Sequence, residues 1–438
     1  MSDFLQTLSG MRGLKVFIAD VRNCKTPEEE QKRIEKELGK IRKKFTSSKK
    51  LDGYNQRKYV WKMVYIHMLG YEVDFGAMEV INLITSTKFI EKSTGYMATS
   101  IILNQVPDLM EMIFNALKND MVGGTSEAKS LALQCVSNMG NAQLADQIAE
   151  TVFNILKDPN AVVNVRKKAA LCLLRVLRAT GKPCPAAWHA DIFHMFDAEH
   201  IGMLMASSSL ILSLVSRQAS ACFAVVPRAI LILEKLVVLK SATFEYVYYN
   251  TPAPWLQVKL FKILQYFPGP TEPTLRDKLM TVLHHILDNT NVTKSVNKNN
   301  TDYSILFEAV NYIIHLAGSA DSDLQNKAAE LLGQYVGVRQ PNIRYIALSS
   351  MARLAMVGGL EGSIKKHQKT ILFSLKDADV SIRQRALDLL FLMCDESNCL
   401  DIVHELLLFL VIANEGIKEE MVLKIAILAE RFAPDYKW

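Results

Sequence analysis

Helix breakers are scarce in this chain: 13 prolines and 20 glycines stand among 438 residues. That scarcity argues against a turn-rich sheet protein and for helix nearly throughout. Long apolar runs are missing too. No window reaches the roughly 18 apolar residues needed to cross a bilayer. The longest run, Leu406 to Ala413, reads as a buried helix. The opening MSDFLQTLSGMRG lacks the charged-then-apolar order of a secretory leader. Seven cysteines, an odd number with no C-x-x-C pair, read as reduced cytosolic thiols. The sequons at Asn291 and Asn299 are then chance. The nine histidines are dispersed, and no Cys/His spacing suits zinc. Gly358-Gly359-Leu360-Glu361-Gly362 lacks the Lys-Ser/Thr of a P-loop and reads as a helix-ending turn. No nucleophile elbow or kinase set occurs. The expectation is a non-enzymatic chain with no metal and no cofactor.

What is present is apolar and periodic. Half of the residues are hydrophobic and 22% are charged, enough for a large continuous core. Met11 to Cys24 carries Leu14, Phe17, Ile18 and Val21 on one stripe. Thr26-Pro27-Glu28-Glu29 is a helix start: Thr26 can cap, Pro27 suits the first position, and Glu29 sits where a capping box places its acid. That helix should run to Phe45 with Ile34, Leu38, Ile41 and Phe45 on one face, and a third should run from Tyr54 to Leu69. Helical segments then follow one another to the end, with starts near Asp74, Pro107, Ser126, Asn164, Pro185, Pro252, Thr271, Asp323, Asn342, Asp379 and Lys418. About twenty helices are expected.

Some of these helices share a signature: a small polar residue, an aliphatic one, often Arg, and Ala three places on. The instances are Asn164-Val165-Arg166 with Ala169, Asn342-Ile343-Arg344 with Ala347, and Ser381-Ile382-Arg383 with Ala386. Asp323-Leu324-Gln325 with Ala328 is a weaker case. The step of 39 from Ala347 to Ala386 is close to the period of helix-pair repeats. The small Ala permits close helix approach, and the Arg can reach a neighbouring Asp or Asn turn. The fold class expected is all-α, a right-handed α-solenoid of HEAT- or armadillo-like helix pairs. Residues 291–303, NVTKSVNKNNTDY, read as a long polar loop. No polar capping repeat is visible before Asp435-Tyr436-Lys437-Trp438, which suggests a longer parent chain or a partner over the last helices.

Charge is the other pattern. Lys40, Arg42, Lys43, Lys44, Lys49, Lys50, Arg57, Lys58 and Lys62 face one acid, Asp52, so residues 40–62 are net +8 while the whole chain is +6. Arg42 to Lys44 suit a helix C-terminus, a structural reason for cations there. Arg57 and Lys58 fall in first turns, where cations are disfavoured, so they should face a ligand. Tyr54, Arg57, Lys58 and Lys62 fall on one helical side, beside a helix N-terminus able to bind phosphate. A multiply phosphorylated lipid headgroup fits this compact cluster best. A merely solvated face and nucleic acid are the alternatives, the latter disfavoured because the rest of the chain is net negative.

The stretch Met11-Arg12-Gly13-Leu14-Lys15-Val16-Phe17-Ile18-Ala19-Asp20-Val21-Arg22-Asn23-Cys24-Lys25 closely resembles the opening of the alpha-adaptin family, large subunits of the plasma-membrane clathrin adaptor. Leu51-Asp52-Gly53-Tyr54 and Pro252-Ala253-Pro254-Trp255-Leu256-Gln257-Val258-Lys259-Leu260 are similar to the same family, and Ile382 to Leu390 resembles the large-subunit trunk. Tyr65 to Tyr71 and Glu430 to Pro434 look closer to gamma-adaptin, so a gamma-type large subunit is the alternative. A soluble karyopherin-like transport receptor is a further one.

The resemblance implies one trunk over 1–438. Its first helices, 1–70, would bind lipid and cargo, and 71–438 would be stacked pairs. The implied partners are small (sigma), medium (mu) and beta-type large subunits, a phosphoinositide membrane, acidic dileucine cargo tails and, indirectly, the clathrin coat, with no nucleic acid. It implies a phosphatidylinositol bisphosphate site at Arg12, Lys44, Tyr54, Asn55, Arg57, Lys58 and Lys62, and a cargo contact at Arg22. Gln56 replaces the family's usual Lys, which removes one cation and implies lower affinity. The implied location is the cytoplasmic face of coated pits at the plasma membrane.

Overall fold

The computed structural model describes residues 11–47, 51–102, 110–290, 293–316, 321–358 and 360–433. Lys49, Lys50, the helix start at Pro107, Asn291, Pro434 and Asp435 to Trp438 lie outside them. The chain divides into two compact units, Met1–Arg217 and Gln218–Trp438. The basic segment set apart as 1–70 is part of the first.

In the first unit the helices are α1 (Arg12–Arg22), α2 (Pro27–Phe45), α3 (Gly53–Met68), α4 (Ala77–Ile84), α5 (Phe89–Ile102), α6 (Met110–Gly123), α7 (Ser126–Met139), α8 (Ala142–Lys157), α9 (Val163–Thr180), α10 (Ala186–Phe193) and α11 (Ile201–Gln218). The second unit holds α12 (Val225–Val237), α13 (Pro254–Leu264), α14 (Pro273–Asn289), α15 (Val296–Leu316), α16 (Ser322–Val336), α17 (Pro341–Ala355), α18 (Glu361–Lys365), α19 (Gln368–Ser374), α20 (Val380–Met393), α21 (Cys399–Leu410) and α22 (Glu415–Phe432). Among the described residues the strands are one two-residue hairpin pairing Val247 with Pro252 and Tyr248 with Thr251.

Alternate helices stack on each other. In the first unit α3, α5, α7 and α9 form one layer, and α4, α6, α8 and α10 the other. In the second, α13, α15, α17, α20 and α22 form one layer, backed by α12, α14 and α16. This two-layer array is an α-solenoid.

The repeat signature explains the stacking. Ala169, Ala347 and Ala386 are fully buried, and each lets its helix close on a neighbour. The arginines reach neighbouring turns, Arg166 and Arg383 the preceding one and Arg344 a following one. Arg166 Nε donates to the carbonyl of Leu156 at 3.1 Å, at the end of α8. Arg344 pairs with Asp377 at 2.7 Å, and Arg383 donates to the Asp377 carbonyl at 2.9 Å. Two successive repeats thus converge on one turn. The weaker instance, at Ala328, is equally buried but stands in the other layer.

Three expectations are corrected. The polar stretch 291–303 is mostly not a loop, because α15 begins at Val296. Its asparagines build the helix start: the amide oxygen of buried Asn299 accepts from Thr293 N at 2.8 Å, and its Nδ2 donates back to Thr293 O at 2.7 Å. The run Leu406 to Ala413 is not buried all round. Leu406 is fully buried, but Val411 is 81% exposed. Lastly, among the described residues one helix, α11, is long and apolar enough by composition to cross a bilayer. Its serines break the apolar run, and the Ser207 hydroxyl donates to the Met203 carbonyl at 2.9 Å. Two-thirds of its length is buried in the fold, as expected of a core helix.

Replacing Ala386 by Leu should overpack the α17–α20 contact at about 1–3 kcal/mol. A lower urea midpoint with unchanged m-value is the expected reading. An unchanged midpoint would show that the interface has room for the larger side chain.

Candidate functional site

Three helices assemble the basic end of the first unit. α1 buries Leu14, Phe17 and Val21. α2 starts as the sequence indicates: Thr26 Oγ1 accepts from Glu29 N at 3.3 Å, while the Glu29 carboxylate accepts from Lys25 N at 3.0 Å. Asp52 caps α3 by accepting from Asn55 N at 3.2 Å. Phe17, Val21, Ile34, Ile41, Met63 and Ile66 form the shared core, with Leu38 and Phe45 packed on it.

A buried acid sits in that core. Glu37 lies on the apolar stripe of α2 and is ion-paired with Lys62, which is only 7% exposed. Arg33 adds a second pair to Glu37 at 2.8 Å and reaches Asp20 of α1 at 3.0 Å. Arg33 and Lys62 both lie over the Phe17 ring, at 4.8 Å and 5.3 Å. One carboxylate therefore ties α2 to α3 and, through Arg33, to α1. Burial by itself raises the Glu37 pKa. The hydrogen bonds and charges of Lys62 and Arg33 outweigh it, and the carboxyl is held below its usual value.

Lys62 is thus a correction. Tyr54, Lys58 and Lys62 do share a face of α3, but that face tilts into the bundle. Tyr54 is exposed at its outer end, Lys58 is half-buried, and Lys62 is enclosed. The Lys62 ammonium is committed to Glu37 and is not available to a headgroup. Arg42 and Lys40 are committed as well, to Asp74 at 2.8 Å and to Glu37 at 3.6 Å. Nor is the α3 N-terminus open to phosphate: Asp52 holds the Asn55 N–H, and a methyl group at Gly53 would overlap the Glu91 carboxylate of α5.

The remaining cations form a cradle. The Lys58 stem crosses the start of α1, where a Cβ on Gly13 would stand 3.3 Å from Lys58 Cδ. This close approach brings the neighbouring Arg12 to the same end of the bundle. The Lys58 ammonium lies 4.6 Å from the Tyr59 ring centre and 5.6 Å from that of Tyr54, and donates to Asn55 Oδ1 at 2.5 Å. Asn55 Nδ2 in turn donates to Asp52 at 2.6 Å. Burial, then the charge of Lys62, pushes the Lys58 pKa down; Asp52 and Glu37 oppose this and Lys44 adds to it. Lys58 is therefore under-compensated, and an arriving anion would stabilise it.

Arg12, Lys43 and Lys44 are exposed and have no acidic partner among the described residues. Arg57 stands one step round α3, beside Glu91, with its Nε enclosed and unbonded. Gln56 turns away and donates to the Glu79 carboxylate at 2.8 Å. Arg22, exposed at the far end of α1, lies about 15 Å along the helix from Arg12. Sequence reasoning passed over Glu37, Gly13 and Glu91. An acid three places after Ile34 on an apolar stripe was the available signal for Glu37.

Removing the Glu37 charge should leave Lys62 unpaired and buried. Glu37→Gln is expected to destabilise by about 3–5 kcal/mol, while the double change Glu37→Leu, Lys62→Met should recover most of it. Because the folded pKa of Glu37 is lowered, its contribution is complete above the ordinary value of 4.5 and is lost as pH falls through the lowered one. The melting difference between wild type and Glu37→Gln should therefore shrink below about pH 4.5. A difference independent of pH would contradict the ion pair.

Residues 30–438 match the family described as Adaptin N terminal region. The chain is 46% identical over 432 residues to the Arabidopsis thaliana protein named AP-2 complex subunit alpha-1, covering 98% of this chain and 42% of that protein. It is 41% identical to AP-2 complex subunit alpha-2 of Dictyostelium discoideum, covering 98% and 44%. Against AP-1 complex subunit gamma of the same organism it is 31% identical, covering 97% and 46%. The chain thus spans less than half the length of these relatives. Among solved structures, a homology model of the full-length AP-3 complex matches with a TM-score of 0.56 at 22% identity, covering 84% of this chain and 59% of that one. An engineered protein matches with a TM-score of 0.55 at 14% identity, covering 90% and 99%. These two likenesses speak to the fold alone.

Proposed function

The chain belongs to the adaptin N-terminal region family, and from that premise we propose that it is a clathrin-adaptor large subunit of alpha type. It binds inner-leaflet phosphatidylinositol bisphosphate, scaffolds sigma, mu and beta-type subunits, and helps select acidic dileucine cargo at the plasma membrane. It links membrane and coat and is not an enzyme. The higher identity to AP-2 alpha subunits than to AP-1 gamma favours the alpha reading. The family match favours an adaptor over a karyopherin-like receptor.

The observation that carries the lipid reading is a gathering of uncommitted charge. Arg12, Lys44, Arg57 and Lys58 come from three helices to one end of the bundle. Tyr54 and Asn55 supply polar edges, and Lys58 lacks full compensation. Near an anionic leaflet each such cation contributes about 1 kcal/mol, so the set gives reversible recruitment rather than permanent anchoring. Lys62 supports the cradle from beneath.

Sedimentation of the chain with phosphatidylcholine vesicles, with and without phosphatidylinositol bisphosphate, tests this. Neutralising Arg12 and Lys44 together to Gln should remove most of the lipid-dependent fraction and leave the melting temperature unchanged. Retention of full binding by that variant would refute the assignment. Duplex RNA or DNA bound in preference to the lipid at physiological salt would replace it with a nucleic-acid reading.

Arg22 stands apart from the cradle and has no acidic partner among the described residues, which suits it to a carboxylate from outside. In the assembled complex, Arg22→Ser should weaken binding of an acidic dileucine peptide roughly tenfold, the loss of a charge-assisted contact, without altering vesicle binding. Equal peptide affinity would remove Arg22 from the cargo site.

A further inference from the structure

The starts of three helices meet beside the cradle. Gln56 near the start of α3 bonds the carbonyl and carboxylate of Glu79 in the first turn of α4, at 3.1 Å and 2.8 Å. Gly53 lies against Glu91 in the first turn of α5. On this rim stand Phe89, 53% exposed, Ile90, 54% exposed, and Met78, 51% exposed. Lone exposed apolar residues are ordinary, but an adjacent Phe-Ile pair on a first turn, with Lys88 and Arg57 on either side of one carboxylate, is a different surface.

Lys88 precedes the pair and is largely exposed. Arg57 stands on the other side of Glu91. The Glu91 carboxylate does not oppose an anionic partner. It accepts from Ser86 at 2.7 Å and pairs with Lys88 at 3.3 Å; the Ser86 bond, then Lys88 and Arg57, hold its pKa down against burial.

We infer that Phe89 and Ile90, flanked by Met78, enter the acyl boundary of an anionic bilayer while the neighbouring cations hold its headgroups. This inference rests on the phosphoinositide reading above and adds a second attachment to it. Side chains of this length reach the apolar layer only if the helix start lies against the headgroups. The contact of Gly53 with Glu91, and Arg57 beside that carboxylate, place the α5 start next to residues that would bind them. Apolar burial and headgroup attraction add in peripheral binding, and neither is sufficient for tight attachment by itself. A protein partner would need a matching acidic rim around an apolar socket, whereas an anionic leaflet offers both at once.

Two probes separate the attachments: soluble inositol hexakisphosphate, and phosphatidylcholine vesicles carrying phosphatidylinositol bisphosphate. For the full chain, Phe89→Ser with Ile90→Ser should leave the soluble headgroup affinity unchanged and weaken vesicle binding roughly tenfold or more, the loss of two partly buried apolar side chains. Unchanged vesicle binding by the variant would overturn the inference and leave the headgroup reading standing. Failure of the wild type to bind either probe would overturn both. As a check that does not depend on loss of binding, Phe89→Trp should gain emission that is quenched by lipids brominated on their acyl chains. An unquenched signal on bound vesicles would overturn the insertion.

Discussion

The basic end of the first unit depends on one buried carboxylate. Glu37 holds Lys62 and Arg33, and those two cations cover the Phe17 ring. A buried charge is tolerated only when paired, so the ion pairs fix how α2 and α3 meet and how α1 lies across them. The orientation of Lys58, one turn further out on α3, follows from this. Its stem can cross Gly13 only if α1 is held where Arg33 and Asp20 hold it.

The basic cluster therefore divides into two kinds of charge. Lys62 is buried against Glu37 and serves the fold, while Arg42 and Lys40 make exposed pairs with Asp74 and Glu37. Arg12, Lys43, Lys44, Arg57 and Lys58 have no salt bridge among the described residues. Spacing alone cannot make this division, because it depends on acids that lie far away in sequence: Lys62 is 25 residues from Glu37, and Arg42 is 32 from Asp74.

The array itself was legible in local pattern. The Thr26-Pro27 start, the α2 stripe and the Ala-Arg signature all report contacts made within a helix or with the next repeat. The errors arose where polarity or apolarity was read without its partners. Residues 293–303 are polar yet mostly helical, because Asn299 and Thr293 satisfy each other. Leu406 to Ala413 is apolar yet half exposed, because one face of α21 and the turn after it meet no neighbour among the described residues. The cargo and subunit readings came from resemblance to adaptins, the lipid reading from the charge cluster as well, and the geometry adds which of the cations have a salt bridge among the described residues.

The division between structural and ligand-facing lysines can be measured by amine labelling with mass-spectrometric readout, with and without vesicles containing phosphatidylinositol bisphosphate. Lys43, Lys44 and Lys58 should react in the free protein and be protected on the vesicles, while Lys62 stays unreactive in both. Labelling of Lys62 as fast as Lys44, or of Lys58 unaffected by the vesicles, would contradict the account.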